Sequence, residues 1–198
     1  FDFDGTLVDS AQIKRQGYYE ALADWPAAVP VLTEILAAPH GDRYAVFRRL
    51  AERLAAGAAE AREPALDTER AAARWAARYT DFCARVVAEA PEIAGAAASC
   101  AALRATGCAL YVNSATPQAN LQSILLQRGM DRWFDGVRGG PRGKLENLRD
   151  ILAATGVAPA RCAVVGDGED DRQAAVDCGC DSRPQSARVP RRNWRWKL

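Results

Sequence analysis

Apolar positions along the chain change period twice. The first residues, Phe1-Asp2-Phe3-Asp4-Gly5-Thr6-Leu7-Val8-Asp9, alternate apolar and acidic side chains before a glycine. If residues 1–4 form a strand, side chains alternate across it and Asp2 and Asp4 share a face. From residue 10 to residue 90 the spacing is helical. Tyr44, Phe47, Leu50 and Leu54 make one stripe and Trp75, Tyr79, Phe82 and Val86 another, expected to pack helices together rather than to touch substrate. Pro26 and Pro30, Pro39-His40-Gly41 and Glu63-Pro64 mark breaks between these helices. From about residue 94 strand and helix patterns alternate, which predicts a parallel sheet with helices on both faces, an α/β fold. Two apolar runs, Cys108-Ala109-Leu110-Tyr111-Val112 and Cys162-Ala163-Val164-Val165, read as buried parallel strands.

Polar residues at the ends of these runs are the candidate chemistry. Burying Asp2 beside Asp4 is costly unless a cation or a proton is shared between them, and active sites favour such pairs. Ser114 falls where a strand of an open α/β sheet delivers ligand contacts, although the same position suits the N-cap of a helix with Pro117 in its first turn. Lys144 is expected at a helix start, where the dipole disfavours it and a nearby phosphate dianion would explain it. Arg142 competes for that role, with Lys144 preferred. The second strand runs into Gly166-Asp167-Gly168-Glu169-Asp170-Asp171, an acidic turn with Asp171 four residues beyond Asp167, while Glu169 and Asp170 are expected to be solvated. Donors of this kind are all oxygen, which suits magnesium rather than zinc. His40 is expected at the surface.

These four patches, in this order, resemble the four motifs of the haloacid dehalogenase superfamily, among members similar to the phosphoglycolate phosphatases. The match at Lys144 is looser, since Leu145 stands where that family usually has proline. The resemblance implies a Rossmann-like core with an inserted α-helical cap that closes over the site. It implies a magnesium-dependent phosphatase acting on a small phosphorylated metabolite. Asp2 would be the nucleophile and Asp4 the proton carrier. Ser114 and Lys144 would bind the phosphoryl group. Asp2 and Asp167 would hold Mg2+ with the Asp4 backbone carbonyl, and Asp171 would support the metal or the lysine. Arg43, at a helix start in the cap, is the expected contact to the rest of the substrate. Alternatives are a phosphomutase or haloacid dehalogenase of the same superfamily, or a non-catalytic phosphate-binding or regulatory module. Asp4 argues against the dehalogenase, which needs neither magnesium nor a second acid.

The expected organisation is a core of residues 1–12 and 91–198 split by a helical cap of residues 13–90. At 198 residues and 49% hydrophobic, the chain can bury one good core and a smaller one. A formal net charge of +1 offers no case for nucleic acid or a membrane as partner of the whole chain. No signal peptide or membrane-length apolar run is visible, and the six cysteines lack a metal-ligand or secreted-scaffold spacing. They read as reduced, mostly buried thiols in a cytoplasmic protein. Residues 181–198, with five arginines and Trp194 and Trp196, look like an atypical tail and not the further apolar strand the resemblance calls for. With no methionine at its start and a short first strand, the sequence is expected to be a fragment.

Overall fold

A computed structural model describes residues 1–38, 40–60 and 66–184. The expected breaks at Pro39 and at Glu63-Pro64, and the tail with Trp194 and Trp196, lie outside the described residues. The chain divides into two compact units, Phe1–Asp9 with Pro91–Leu198 and Ser10–Ala90. Ser10, Ala11 and Gln12, expected with the first unit, fall in the second, because the first helix begins at Ala11.

The helical unit consists of α1 (Ala11–Glu20), a 3-10 turn at Pro26–Ala28, α2 (Val29–Leu36), α3 (Arg43–Glu60) and α4 (Thr68–Val87). Asp67 caps α4, its side chain accepting from the Arg70 amide at 3.0 Å, and Glu69 and Arg85 sit at the dipole ends that favour their charges. Rings fill its centre. Tyr18 lies 4.6 Å from Tyr79 and 5.6 Å from Phe47, and Trp75 lies 6.3 Å from Phe47. The buried stripes are displaced from those expected. On α3 they run through Val46, Phe47, Leu50 and Ala51, with Tyr44 54% exposed; on α4, through Trp75, Ala76, Tyr79, Cys83 and Val87, with Phe82 and Val86 half-buried. The positions gained include the small Ala51, Ala76 and Cys83. His40 is half-buried against the Tyr18 ring and not a plain surface residue.

The other unit continues with α5 (Ala96–Ala105), β1 (Tyr111–Pro117), α6 (Gln118–Gln127), β2 (Gly136–Gly140), α7 (Lys144–Thr155), β3 (Ala163–Gly166), α8 (Glu169–Cys178) and β4 (Asp181–Pro184). β1 pairs in parallel with β2, from Tyr111 opposite Gly136, and β3 in parallel with β4, from Ala163 opposite Asp181. The start of the chain joins the two pairs. Phe1 donates to the Tyr111 carbonyl and accepts from the Asn113 amide, while the Asp2 amide donates to Val165. The order is therefore β4, β3, residues 1–2, β1, β2, a Rossmann-like α/β arrangement of parallel strands. Residues 1–4 do not form the expected strand: only the first two pair, and Asp4 already lies in a turn bridging to Val8.

β4 corrects the reading of residues 181–184 as tail. Asp181 to Pro184 form a strand although none of their side chains is a large apolar one and most are exposed, because the backbone pairing with β3 carries it. Gly179, with φ +72°, makes the left-handed turn from α8 into it. Among the six cysteines, all free, Cys83 and Cys100 are buried and Cys108 is exposed, so most are not fully buried as expected. No described helix is long and apolar enough to cross a membrane.

Candidate active site

The ends of β1 and β3 and the start of the chain bring the motif residues together. Lys144 is the first residue of α7, and its ammonium donates to Asp2 Oδ2 at 2.9 Å and Asp171 Oδ2 at 2.7 Å. All three side chains are almost wholly buried. The helix start is held in place by Asn113 on β1, whose Nδ2 donates to the Lys144 carbonyl at 2.9 Å, and by the buried Asn147, which donates to Gly139. Arg142, the competing candidate, is instead engaged at the surface with Asp150 and Glu146. Asp170, expected to be solvated, is exposed yet lies 3.4 Å from the Lys144 ammonium; Glu169 is solvated and pairs with Arg172.

Asp4 faces a different set of groups. Its Oδ2 accepts from Thr116 Oγ1 at 2.8 Å and from Ser114 Oγ at 3.4 Å. Ser114 lies within β1, just past its last regular pairing at Asn113, and caps no helix; the residue preceding α6 is Pro117. Thr116, Asn113 and Asn147 were not singled out in the sequence. The hydroxyl two residues past Ser114, on the same face of a strand, was the available signal for Thr116.

Asp167 follows β3. Its carboxylate accepts from Thr6 at 3.5 Å and packs so closely on Gly5 that a Cβ there would overlap it. Gly5 has φ +75°, so glycine is required both for the turn after Asp4 and for this approach. Carboxylate oxygens of Asp2, Asp167 and Asp171 lie within 4.8 Å of one another. This donor set fits a hard divalent cation that prefers oxygen. The Asp4 carboxylate is not in that group; its Oδ2 is engaged by the two hydroxyls.

The electrostatics are those of an acid-rich buried site. Burial, with the Asp171 and Asp4 charges, outweighs the Lys144 ammonium and pushes the Asp2 carboxyl up to about 6. Burial also raises Asp167 and Asp171, with neighbouring carboxylates adding to it. Burial would lower Lys144, but the Asp2 and Asp171 charges outweigh it and raise the ammonium above its ordinary value. Arg43 belongs to the helical unit, at the start of α3. Its guanidinium stacks over the Tyr44 and Tyr79 rings at 5.0 and 5.7 Å, and its Nε is buried without a hydrogen-bond partner among the described residues.

Residues 1–179 match the sequence model of the haloacid dehalogenase-like hydrolases, a span that takes in every residue of this cluster. The chain belongs to this family. It is 30% identical over 190 residues to the tyrosine-protein kinase PtkA of Mycobacterium tuberculosis, a match covering 92% of this chain and 59% of that protein. The chain therefore spans under two thirds of the length of that curated relative. A predicted phosphoglycolate phosphatase from Haemophilus somnus superposes with a TM-score of 0.69 at 22% identity, over 92% of this chain and 81% of that one. CbbY from Rhodobacter sphaeroides, solved with xylulose 1,5-bisphosphate, gives 0.66 at 19% identity, over 93% and 83%. At such identities the likeness is one of fold.

Proposed function

We propose that this chain is a magnesium-dependent phosphatase that hydrolyses a small phosphomonoester through an aspartyl-phosphate. The observation that carries the reading is the division of labour between two buried carboxylates: Asp2 among Lys144, Asp167 and Asp171, and Asp4 against hydroxyls. Asp2, oriented by its own hydrogen bond from the Phe3 amide at 2.7 Å, attacks phosphorus. Asp4 gives a proton to the leaving oxygen and later takes one from the water that cleaves the acyl phosphate. Lys144 and the Ser114 hydroxyl balance charge on the transferring phosphoryl group. Asp2, Asp167 and the Asp4 carbonyl would hold Mg2+, with Asp171 steadying the lysine. The bound cation supplies the positive charge that lets a phosphate dianion enter a site with more carboxylates than ammonium groups. Ser10–Ala90 serves as the helical cap, and Arg43 as its contact to the substrate's remaining charge.

A second reading has its own support in the relation to PtkA, which is a tyrosine-protein kinase by name. The same aspartate chemistry could pass a phosphoryl group to a tyrosine hydroxyl in place of water. One experiment separates the two: phosphate release from a panel of small phosphomonoesters, beside label transfer from ATP to a tyrosine peptide, each with magnesium and with chelator. Phosphate release that needs magnesium and occurs without peptide labelling supports the phosphatase. Peptide labelling without monoester hydrolysis supports the kinase, and release unaffected by chelator overturns the metal-dependent mechanism.

A further inference from the structure

β1 does not end as a regular strand. Its register with β2 shifts between Asn113 and Pro117, so residues 114–116 bulge. The Thr116 amide closes the bulge by donating to Ser114 Oγ at 3.1 Å, a turn in which the serine oxygen takes the place of a backbone acceptor. From the far side the bulge rests on two glycines. A Cβ on Gly139 would come within 2.7 Å of the Thr116 carbonyl oxygen, and one on Gly140 within 3.1 Å of that of Ala115. Gln118 locks this contact, accepting from the Gly139 amide at 2.5 Å and donating to Val137 at 3.3 Å. The chain thus builds a rigid seat whose projecting group, the Thr116 hydroxyl, is directed at Asp4.

Distances then decide which hydroxyl serves which partner. A hydroxyl has one proton to donate. Thr116 gives its proton to Asp4 Oδ2 at 2.8 Å, an ordinary O–H···O length, whereas Ser114 stands at 3.4 Å, beyond the usual range for such a bond. We infer that Thr116 is a positioning residue for the proposed reaction, fixing the carboxyl of Asp4 for proton exchange and leaving the Ser114 hydroxyl to the phosphoryl group. This role rests on the phosphatase reading above.

The test compares wild type, Thr116→Val and Thr116→Ser on an alkyl and an aryl phosphate with magnesium. The alkoxide leaving group needs its proton, so Thr116→Val should lower kcat on the alkyl phosphate about 10- to 100-fold with KM nearly unchanged. The phenolate needs little protonation, so its first step should change less than about threefold, and a burst of phenolate should precede slow turnover. Thr116→Ser, which keeps the hydroxyl, should restore both. Should Thr116→Val fail to fold, Thr116→Ala carries the same comparison. Equal losses on both substrates without a burst, wild-type rates in Thr116→Val, or no rescue by serine each overturn the role of Thr116 while the phosphatase reading stands. A wild-type protein that releases no phosphate from either substrate overturns both.

Discussion

In the helical unit the large buried side chains are rings and aliphatics, among them Phe47, Trp75 and Tyr79, and the ion pairs lie outside. Arg53 with Glu34, and Arg74 and Arg78 with Asp24, are all a third or more exposed. At the ends of β1 and β3 the arrangement is reversed. There Asp2, Asp171 and Lys144 are almost fully removed from solvent, and Asp4, Ser114 and Thr6 are buried beside them. Exposed pairs contribute about 0–1 kcal/mol, whereas a buried ion costs several kcal/mol of desolvation that its partners must offset. At Asp2 that offset is incomplete even with the lysine at 2.9 Å, since its carboxyl is still pushed up to about 6. The ion pairs described in the helical unit carry little desolvation cost. The other unit carries a standing electrostatic cost, which is expected where binding and chemistry, rather than folding, are served.

The sharpest break of this contrast is Asp2→Asn. Turnover should fall by roughly 10,000-fold or more, because an amide of nearly equal volume cannot act as nucleophile. Steady-state rates on a freshly purified sample, checked by mass for deamidation, measure it. Next is Lys144→Met, which leaves two buried carboxylates unpaired. Activity should drop roughly 100- to 1,000-fold, and denaturant unfolding should show a loss of about 3–5 kcal/mol. Arg74→Met in the helical unit, removing an exposed charge, should cost no more than about 1 kcal/mol in the same assay. Comparable losses in the two variants would erase the distinction between the units.

A pH series sharpens the comparison further. The Asp2 carboxyl titrates near 3.8 when unfolded and near 6 when folded, so the folded state holds its proton more tightly. Stability from this group is full below pH 4, declines as pH rises through 6, and is level above. Asparagine cannot ionise. In chelator, therefore, Asp2→Asn should gain stability relative to wild type by about 3 kcal/mol between pH 4 and pH 7. Unfolding curves at several pH values check it, and a constant difference across the range would contradict the electrostatic cost assigned to Asp2.

The sequence showed the site far better than the packing around it. Asp2, Asp4, Ser114, Lys144, Asp167 and Asp171 stand in or just after short strands or in the first turn of the helices that follow, where short-range pattern and chemistry coincide. Thr116 was passed over because it looks like the approach to a proline-led helix, and the bulge that aims it depends on Gly139 and Gly140, which are distant in sequence. Asn113 and Asn147 act through backbone carbonyls, and no residue pattern advertises that. The displaced stripes on α3 and α4 show the same limit: the small Ala51, Ala76 and Cys83 are buried, while Tyr44, large and apolar in a pattern reading, stays outside beneath the Arg43 guanidinium. Asp181 to Pro184 are strand through backbone bonds to β3 alone, which their side chains do not reveal.

The central claim is that Asp2 carries the phosphoryl group during turnover. Asp4→Asn supplies the trap, since it should still phosphorylate from an aryl phosphate yet lack the base that frees the enzyme. Acid quenching this variant during its burst, followed by borohydride reduction and peptide mass mapping, should place the modified residue at Asp2, in an amount matching the burst. Label on any other residue, or a burst with no modified peptide, would contradict the claim.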